Sequence, residues 1–273
     1  MKRALVVALT LAVSGTPLGV FMTLRRMTLV GDALSHAILP GVAIAFFVAG
    51  LSLWAMTLGG VLVALAVAGL AALLTRYTTL KDDAAFALLT LIALAAGVTL
   101  ISLKGGSVSL MHVLFGNILA IDMPTLWLVV SVCAVTLFTV AGLYRRLVID
   151  GFDRDFLRIA GTARRGAGIT SFVFFALLML NLVAAFQALG TLMALGLMVL
   201  PALAARFWSK NVDFIMPVAV CFAALSAYAG LLLSFHAALP SGPAIVLVAG
   251  GAAVFSALFG RTGSVRSTLF QQG

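Results

Sequence analysis

The sequence predicts an all-α protein that crosses a membrane about nine times. Of its 273 residues, 63% are hydrophobic and only 9% are charged, and the mean hydropathy is +1.23. These values lie outside the range of soluble globular domains. The apolar residues also occur in runs of about 20, the length that a helix needs to cross a bilayer. We therefore expect one membrane-spanning domain over residues 1–273, with about eight to ten spans as the limits.

The apolar runs follow one another with only short connections. Met1-Lys2-Arg3 and the run after it resemble a signal peptide, but an equally apolar run follows and no cleavage site separates the two, so we interpret the first run as a retained span. A bend is expected near 188–189, because Gly190 and Pro201 both disfavour a continuous helix. The predicted spans are roughly 4–24, 29–49, 54–75, 84–103, 124–144, 169–187, 190–208, 213–235 and 243–260.

Basic residues predict the orientation of these spans, because Lys and Arg concentrate on the cytoplasmic side of a membrane. If the segment 145–168 is cytoplasmic, nine spans place every Lys and Arg inside except Lys2, Arg3 and Lys104. This arrangement predicts an outer N-terminus and an inner C-terminus. The formal net charge of +9 does not indicate nucleic-acid binding, because the basic residues form no continuous stripe.

Asp32 and His36 stand out because they lie inside the second predicted span, where ionisable residues are costly and by default functional. Four residues apart, they share one helix face and are separated by about 6 Å along the axis. Pro40 cannot donate a backbone hydrogen bond, so we expect a helix break there that leaves the His36 carbonyl free. A carboxylate, an imidazole and a carbonyl suit a transition-metal ion, and a symmetric pair of chains would offer four or more ligands.

Two other interpretations of this pair are open from the sequence. Asp32 and His36 could bind each other or cap the helix start, and so only stabilise the bundle. Ser35, which precedes His36, raises the question of an intramembrane hydrolase, but the side chains of Ser35 and His36 diverge by about 100° on a helix. No workable catalytic triad results from that arrangement.

The segment 104–123 is too apolar for a free loop and too short to cross the membrane and return. We expect it to lie along the outer interface as an amphipathic helix. His112 within it, and His236 next to the outer turn at 239–243, are candidate contacts for an ion at the entrance. The alternative for each is a surface histidine with no such role.

The segment 145–168 differs from the other connections because it carries charges of both signs. Phe152, Phe156 and Ile159 have the spacing of a short amphipathic helix, and Gly161 is placed as its C-terminal cap. A helix of this kind on the cytoplasmic face indicates a docking partner, since a solvated connector would not need two phenylalanines on one face. The chain contains no G-x-x-x-x-G-K-[ST] phosphate loop, so any ATP would be hydrolysed by another subunit.

These stretches resemble the integral-membrane permease subunits of bacterial ABC importers for zinc, manganese and iron. The resemblance covers nearly the whole chain. Its most specific parts are Arg25-Arg26-Met27, Gly31-Asp32-Ala33-Leu34-Ser35-His36-Ala37 and Leu39-Pro40-Gly41-Val42; Leu114-Phe115-Gly116, Phe152-Asp153, Val199-Leu200-Pro201-Ala202 and Pro240-Ser241-Gly242-Pro243 support it.

The resemblance implies a non-enzymatic permease of the bacterial cytoplasmic membrane, with no permanently bound cofactor. It implies a homodimer, two copies of a cytoplasmic ATP-binding subunit, an extracytoplasmic metal-binding protein and no nucleic-acid partner. The transported zinc, manganese or iron ion would contact Asp32 and His36 near the middle of the membrane. The contacts to the ATPase would involve Phe152, Asp153, Asp155, Phe156 and Gly161.

A transporter of another class is the main alternative. In an ion- or proton-coupled secondary carrier, Asp32 and His36 would relay protons. That function leaves the amphipathic helix at 150–161 unexplained. Uptake that does not depend on ATP would favour the carrier.

Overall fold

The computed structural model describes residues 2–50, 52–103, 121–152, 163–237 and 239–266. The elements in these ranges are α1 (Lys2–Leu24), α2 (Thr28–Ala49), α3 (Leu53–Tyr77), α4 (Asp82–Leu103), α5 (Met123–Phe152), α6 (Ala163–Leu189), α7 (Thr191–Arg206), α8 (Val212–Ala237) and α9 (Ser241–Phe259). Of these nine helices, eight are long and apolar enough to cross a membrane. The predicted all-α, multi-span fold is confirmed.

The helix α7 is shorter than the others and begins after a sharp break. Its 16 residues span about 24 Å, less than the hydrocarbon thickness of about 30 Å. The break is at Gly190, whose φ of +85° lies in the left-handed region that favours glycine. The Gly190 N–H still donates to the Phe186 carbonyl at 2.9 Å. The expected discontinuity is therefore present, next to the predicted position.

The two proline breaks were predicted wrongly. Pro40 lies inside α2 and Pro201 inside α7, and both helices continue through them. A proline removes one backbone hydrogen bond, but a neighbouring helix can hold the two halves together. At Pro40 this neighbour is α4, which packs so closely that a Cβ added to Gly97 would lie 3.0 Å from the Pro40 nitrogen.

The helix α5 extends beyond its predicted end at residue 144 and reaches Phe152. Arg145 and Arg146 end the apolar run, but arginine is a good helix former, so the helix continues through them. The predicted amphipathic helix from Phe152 to Gly161 therefore overlaps the last residue of α5. Residues 153–162, and residues 104–120 of the predicted interfacial segment with His112, lie outside the described ranges.

The bundle is arranged around α1. This helix contacts α5, α6, α7 and α8, while α2, α3 and α4 pack together on one side and α7, α8 and α9 on another. Two apolar cores lie along α1, one around Val7 and Leu11 and the other around Leu18 and Phe21. The second core includes the buried face of α2, so it positions the helix that carries Asp32.

Asp122 caps the N-terminus of α5. Its Oδ1 accepts the Thr125 backbone N–H at 3.2 Å and the Thr125 hydroxyl at 2.5 Å. The hydrogen bond from the Thr125 side chain lowers the pKa of Asp122, because it favours the charged carboxylate. The cap is therefore formed by the ionised side chain at neutral pH.

We expect Asp122→Ala to reduce the free energy of unfolding by about 1 kcal/mol at neutral pH, the usual contribution of an N-cap. Because the pKa is lowered in the folded state, this contribution is present above the pKa of the unfolded chain and is lost as the pH falls through the folded pKa. Melting temperatures of wild type and variant in detergent should converge in acid. A difference that does not change with pH would contradict the charged cap.

Candidate metal site

The helix α2 is held on two sides by close contacts with its neighbours. On one side Gly41 faces α3, where a Cβ added to Gly41 would lie 2.8 Å from the carbonyl carbon of Gly59. On the other side the Thr90 hydroxyl of α4 donates to the Ala33 carbonyl at 3.2 Å. Small residues permit such close approach of helices within a membrane. These contacts fix the rotation of α2 and hence the direction of its remaining side.

That remaining side carries Asp32 and His36. Asp32 is exposed in the single chain and His36 is half-buried. Leu29, on the same side of the helix, is 73% exposed. Because a charged side chain facing hydrocarbon is costly, a face with Asp32 on it is suited to another protein chain or a water-filled passage rather than to lipid.

The structural explanations of the pair find no support in the contacts of the described residues. Within these residues no hydrogen bond or ion pair joins Asp32 to His36, and the buried Nδ1 of His36 has no hydrogen-bond partner. Asp32 does not cap α2 either, because it lies a full turn inside the helix and Met27 occupies the N-cap position. Both side chains are available to a ligand.

The hydrolase interpretation is also unsupported. The Ser35 side chain is only 3% exposed, and its hydroxyl donates to the backbone carbonyl of Asp32 at 2.7 Å. A hydroxyl bound to its own helix is not placed to attack a substrate. Ser35 thus contributes to the local geometry of α2 and leaves Asp32 and His36 as the chemical groups of this site.

One chain supplies an incomplete set of metal ligands. In the described ranges no group of three or more His, Cys, Asp or Glu residues could hold an ion. His236 lies in the last turn of α8, where its Nδ1 is 2.9 Å from the Leu232 carbonyl of the same helix. The structure therefore does not bring His236 to Asp32 and His36. A transition-metal site with about four ligands would need further donor atoms besides those of Asp32 and His36 in one chain.

The pair lies in the first half of α2. The helix has 22 residues starting at Thr28, so Asp32 is about 6 Å and His36 about 12 Å from its beginning, out of about 33 Å. The pair therefore lies nearer to the Arg25-Arg26 end of α2 than to the middle of the helix. It is within one to two turns of the α1–α2 turn.

Three positioning residues were not singled out from the sequence. Thr90 binds the carbonyl next to Asp32, while Gly59 and Gly97 set the distances from α2 to α3 and α4. The available signal was the presence of small and hydroxyl residues inside apolar spans. With 26 glycines in the chain, that signal could not identify these particular positions.

Comparison with known proteins gives matches along most of the chain. Residues 1–260 match the model described as the ABC 3 transport family. The chain is 31% identical over 250 residues to the manganese transport system membrane protein MntC of Halalkalibacterium halodurans, covering 91% of this chain and 83% of that protein. It is 28% identical over 248 residues to the chelated iron transport system membrane protein YfeD of Yersinia pestis, covering 91% and 81%.

A solved structure has the same fold. In PsaBC from Streptococcus pneumoniae in complex with Fab, one chain matches this chain with a TM-score of 0.86 at 28% identity. The match covers 99% of this chain and 94% of that chain. The similarity therefore includes every helix described above.

Proposed function

The chain belongs to the ABC 3 transport family, and from this membership we propose that it is the permease of an ATP-driven importer that carries a divalent transition-metal ion past Asp32 and His36. Family membership and eight long apolar helices make it a multi-pass protein of the bacterial inner membrane. The observation that carries the proposal is a carboxylate and an imidazole on the one accessible side of an otherwise apolar helix.

Mn²⁺ is the first cargo to test. Oxygen and nitrogen ligands from Asp and His accept manganese, iron or zinc, and the affinity order alone does not choose among them. Two relatives named for manganese transport, from Halalkalibacterium halodurans and Streptococcus parasanguinis, are 31% and 30% identical to this chain, against 28% for the relative named for chelated iron. We therefore rank manganese before iron, and iron before zinc.

We propose that two identical chains form the pathway. A two-fold interface repeats the same face from both copies, so pairing through the exposed side of α2 would bring two Asp32 and two His36 side chains together. Two carboxylates would offset the charge of a divalent ion, and the four side chains would replace part of its hydration shell. The exposed Leu29, which lies on the same side of α2 as Asp32 and His36, would be covered by the same contact.

The other partners are a cytoplasmic ATPase and an extracytoplasmic metal-binding protein. The chain itself has no phosphate loop, so movement must reach the permease through a docking surface. We assign that surface to the segment joining α5 and α6, with Phe152, Asp153, Asp155, Phe156 and Gly161. Closing and parting of two ATPases would alternate the pathway between outward-open and inward-open states.

Reconstitution in liposomes tests this proposal. The permease is combined with its ATPase and binding protein, and uptake of Mn²⁺, Fe²⁺ and Zn²⁺ is measured with and without ATP. We expect ATP-dependent uptake of one metal, absent when the ATPase subunit is omitted. Uptake driven by a proton gradient in the absence of ATP would instead establish an ion- or proton-coupled secondary carrier.

A further inference from the structure

Three buried or half-buried aromatic rings meet at the end of the bundle where α1 turns into α2. Phe21 of α1 makes edge contacts with Phe174 of α6 and with Tyr144 of α5, each with ring centroids 6.4 Å apart. Phe21 and Phe174 are 0% and 1% exposed. The three rings thus join α1, α5 and α6 at a single point, and such edge contacts constrain ring orientation as well as distance.

Charged side chains extend this group at both ends. The guanidinium carbon of Arg25 lies 4.1 Å from the centroid of the Phe174 ring, well within cation–π distance. The Tyr144 hydroxyl donates to the carboxylate of Asp213 at the start of α8. We refer to Arg25, Phe21, Phe174, Tyr144 and Asp213 as the Arg25 cluster.

The turn that holds Arg25 is closed by backbone hydrogen bonds. Arg26 has a φ of +56°, in the left-handed region. The Met27 N–H donates to the Met22 carbonyl at 3.0 Å, and the Arg26 N–H donates to the Thr23 carbonyl at 3.2 Å. This is the hydrogen-bond pattern of a Schellman motif, which ends α1 in a fixed geometry.

The same turn leads directly into the helix with the metal ligands. Thr28, the first residue of α2, follows Met27 without a linker, and Asp32 is only about 6 Å farther along the axis. Because the turn is held by its own hydrogen bonds, a displacement of Arg25 displaces the first turns of α2. The positions of Asp32 and His36 therefore depend on what Arg25 contacts.

The cluster also connects to both helices that flank the proposed docking segment. Tyr144 lies on α5, which ends at Phe152, and Phe174 lies on α6, which starts at Ala163. The chain between these two helices is the proposed contact with the ATPase. Both helices meet at Phe21, so a movement of the docking segment reaches the α1–α2 turn through two rings.

We propose that the Arg25 cluster transmits the movement of the docking segment to Asp32 and His36, with Phe174 and Arg25 as positioning residues for transport. This inference rests on the proposed function, since it assigns the route by which ATP hydrolysis acts on the metal site. The contact between Arg25 and Phe174 is its central step, because it joins the flanking helix α6 to the turn before α2.

The test compares Phe174→Leu with Phe172→Leu in the reconstituted transporter, and the readout is metal transported per ATP hydrolysed. Phe174→Leu keeps an apolar side chain but removes the ring under Arg25. Phe172 is on the same helix and 62% exposed, so its substitution is the matched control. We expect Phe174→Leu to lower metal per ATP about tenfold, within the usual range of coupling between sites, while ATP hydrolysis stays within about twofold and Phe172→Leu changes neither.

Variants at Arg25 keep the proposal testable if Phe174→Leu folds poorly. Arg25→Met should lower metal per ATP to a similar degree, Arg25→Lys less, because the lysine retains a positive charge for the ring. The double variant Arg25→Met/Phe174→Leu should lose less than the sum of the two single effects, since both substitutions remove the contact between Arg25 and Phe174.

Two results would overturn the inference. One is an unchanged ratio of metal to ATP in the variants of both residues. The other is a proportional loss of uptake and ATP hydrolysis together with a lower melting temperature, which indicates packing alone. Failure of the proposed function is distinct, because it appears in the wild type as absence of ATP-dependent uptake, and it would remove the basis of the inference as well.

Discussion

Asp32→Asn is expected to reduce metal uptake about 100-fold or more while leaving the transporter assembled. Asparagine keeps the size of the side chain but removes the charge, and in a symmetric pair it does so twice. In the proposed dimer the ion would be buried between the two chains, and leaving its charge without these carboxylates would cost about 3–5 kcal/mol, where each 1.4 kcal/mol is a factor of ten. Assembly should persist because the Asp32 side chain has no partner among the described residues of its own chain.

Asp83→Asn is the matched control for this prediction. Asp83 is an exposed aspartate near the start of α4, so the same chemical change is made outside the candidate pathway. We expect its uptake within about twofold of wild type. Size-exclusion chromatography with the ATPase monitors assembly for both variants. Normal uptake by Asp32→Asn would exclude a metal pathway at this residue, and loss of assembly would indicate a structural role.

Gly41→Ala is expected to lower the melting temperature by about 10 °C, because α2 and α3 touch through their backbones at this position. The added Cβ would overlap the Gly59 carbonyl oxygen, and would lie 2.8 Å from the Gly59 carbonyl carbon and 2.9 Å from the Val63 Cβ. These atoms cannot rotate away, and α4 blocks retreat on the other side of α2. Overpacking of about 3 kcal/mol corresponds to a shift of this size in a chain of this length.

Gly69→Ala provides the comparison, since it makes the same substitution inside the same pair of helices. Gly69 lies on α3 with no atom within 4 Å of an added Cβ. Removing a helical glycine there should leave the stability unchanged or raise it by about 0.5–1 kcal/mol. Thermal unfolding in detergent, followed by tryptophan fluorescence, measures both variants. Equal melting temperatures for Gly41→Ala and Gly69→Ala would contradict the tight α2–α3 contact.

The order of the helices, and eight of the nine predicted spans, were predictable because lipid imposes one strong condition on the backbone. Inside lipid, every backbone N–H and carbonyl must form its hydrogen bond within the helix. An apolar run of about 20 residues therefore predicts a membrane-spanning helix. The same condition explains the errors. Arg145 and Arg146 end the apolar run but not α5. Charged residues are costly inside the bilayer, but they do not prevent the helix from continuing beyond it. Pro40 lacks a donor, yet only the close packing of Gly97 explains why α2 continues.

The chemical residues of the site were predictable, while their surroundings were not. Asp32 and His36 are ionisable residues within an apolar run, and the amino-acid sequence alone shows this. The side of α2 on which they are exposed is decided by Gly41 and Thr90, through contacts with residues on other helices. Spans that are apolar on all sides give no periodic signal for such contacts. The same reason hides the Arg25–Phe174 contact, which joins residues far apart in sequence.

The central position of α1 has a consequence for biosynthesis. Helix α1 is synthesised before α7 and α8, yet it packs against both, and its Thr23 carbonyl accepts a hydrogen bond from Arg206, 183 residues later. Until Arg206 is synthesised, the Thr23 carbonyl in the last turn of α1 lacks this hydrogen bond. Ser14 and Thr16, which are buried in the finished bundle, are not yet covered by the later helices. The contacts of α1 with α7 and α8 can therefore form only after most of the chain between them has been synthesised.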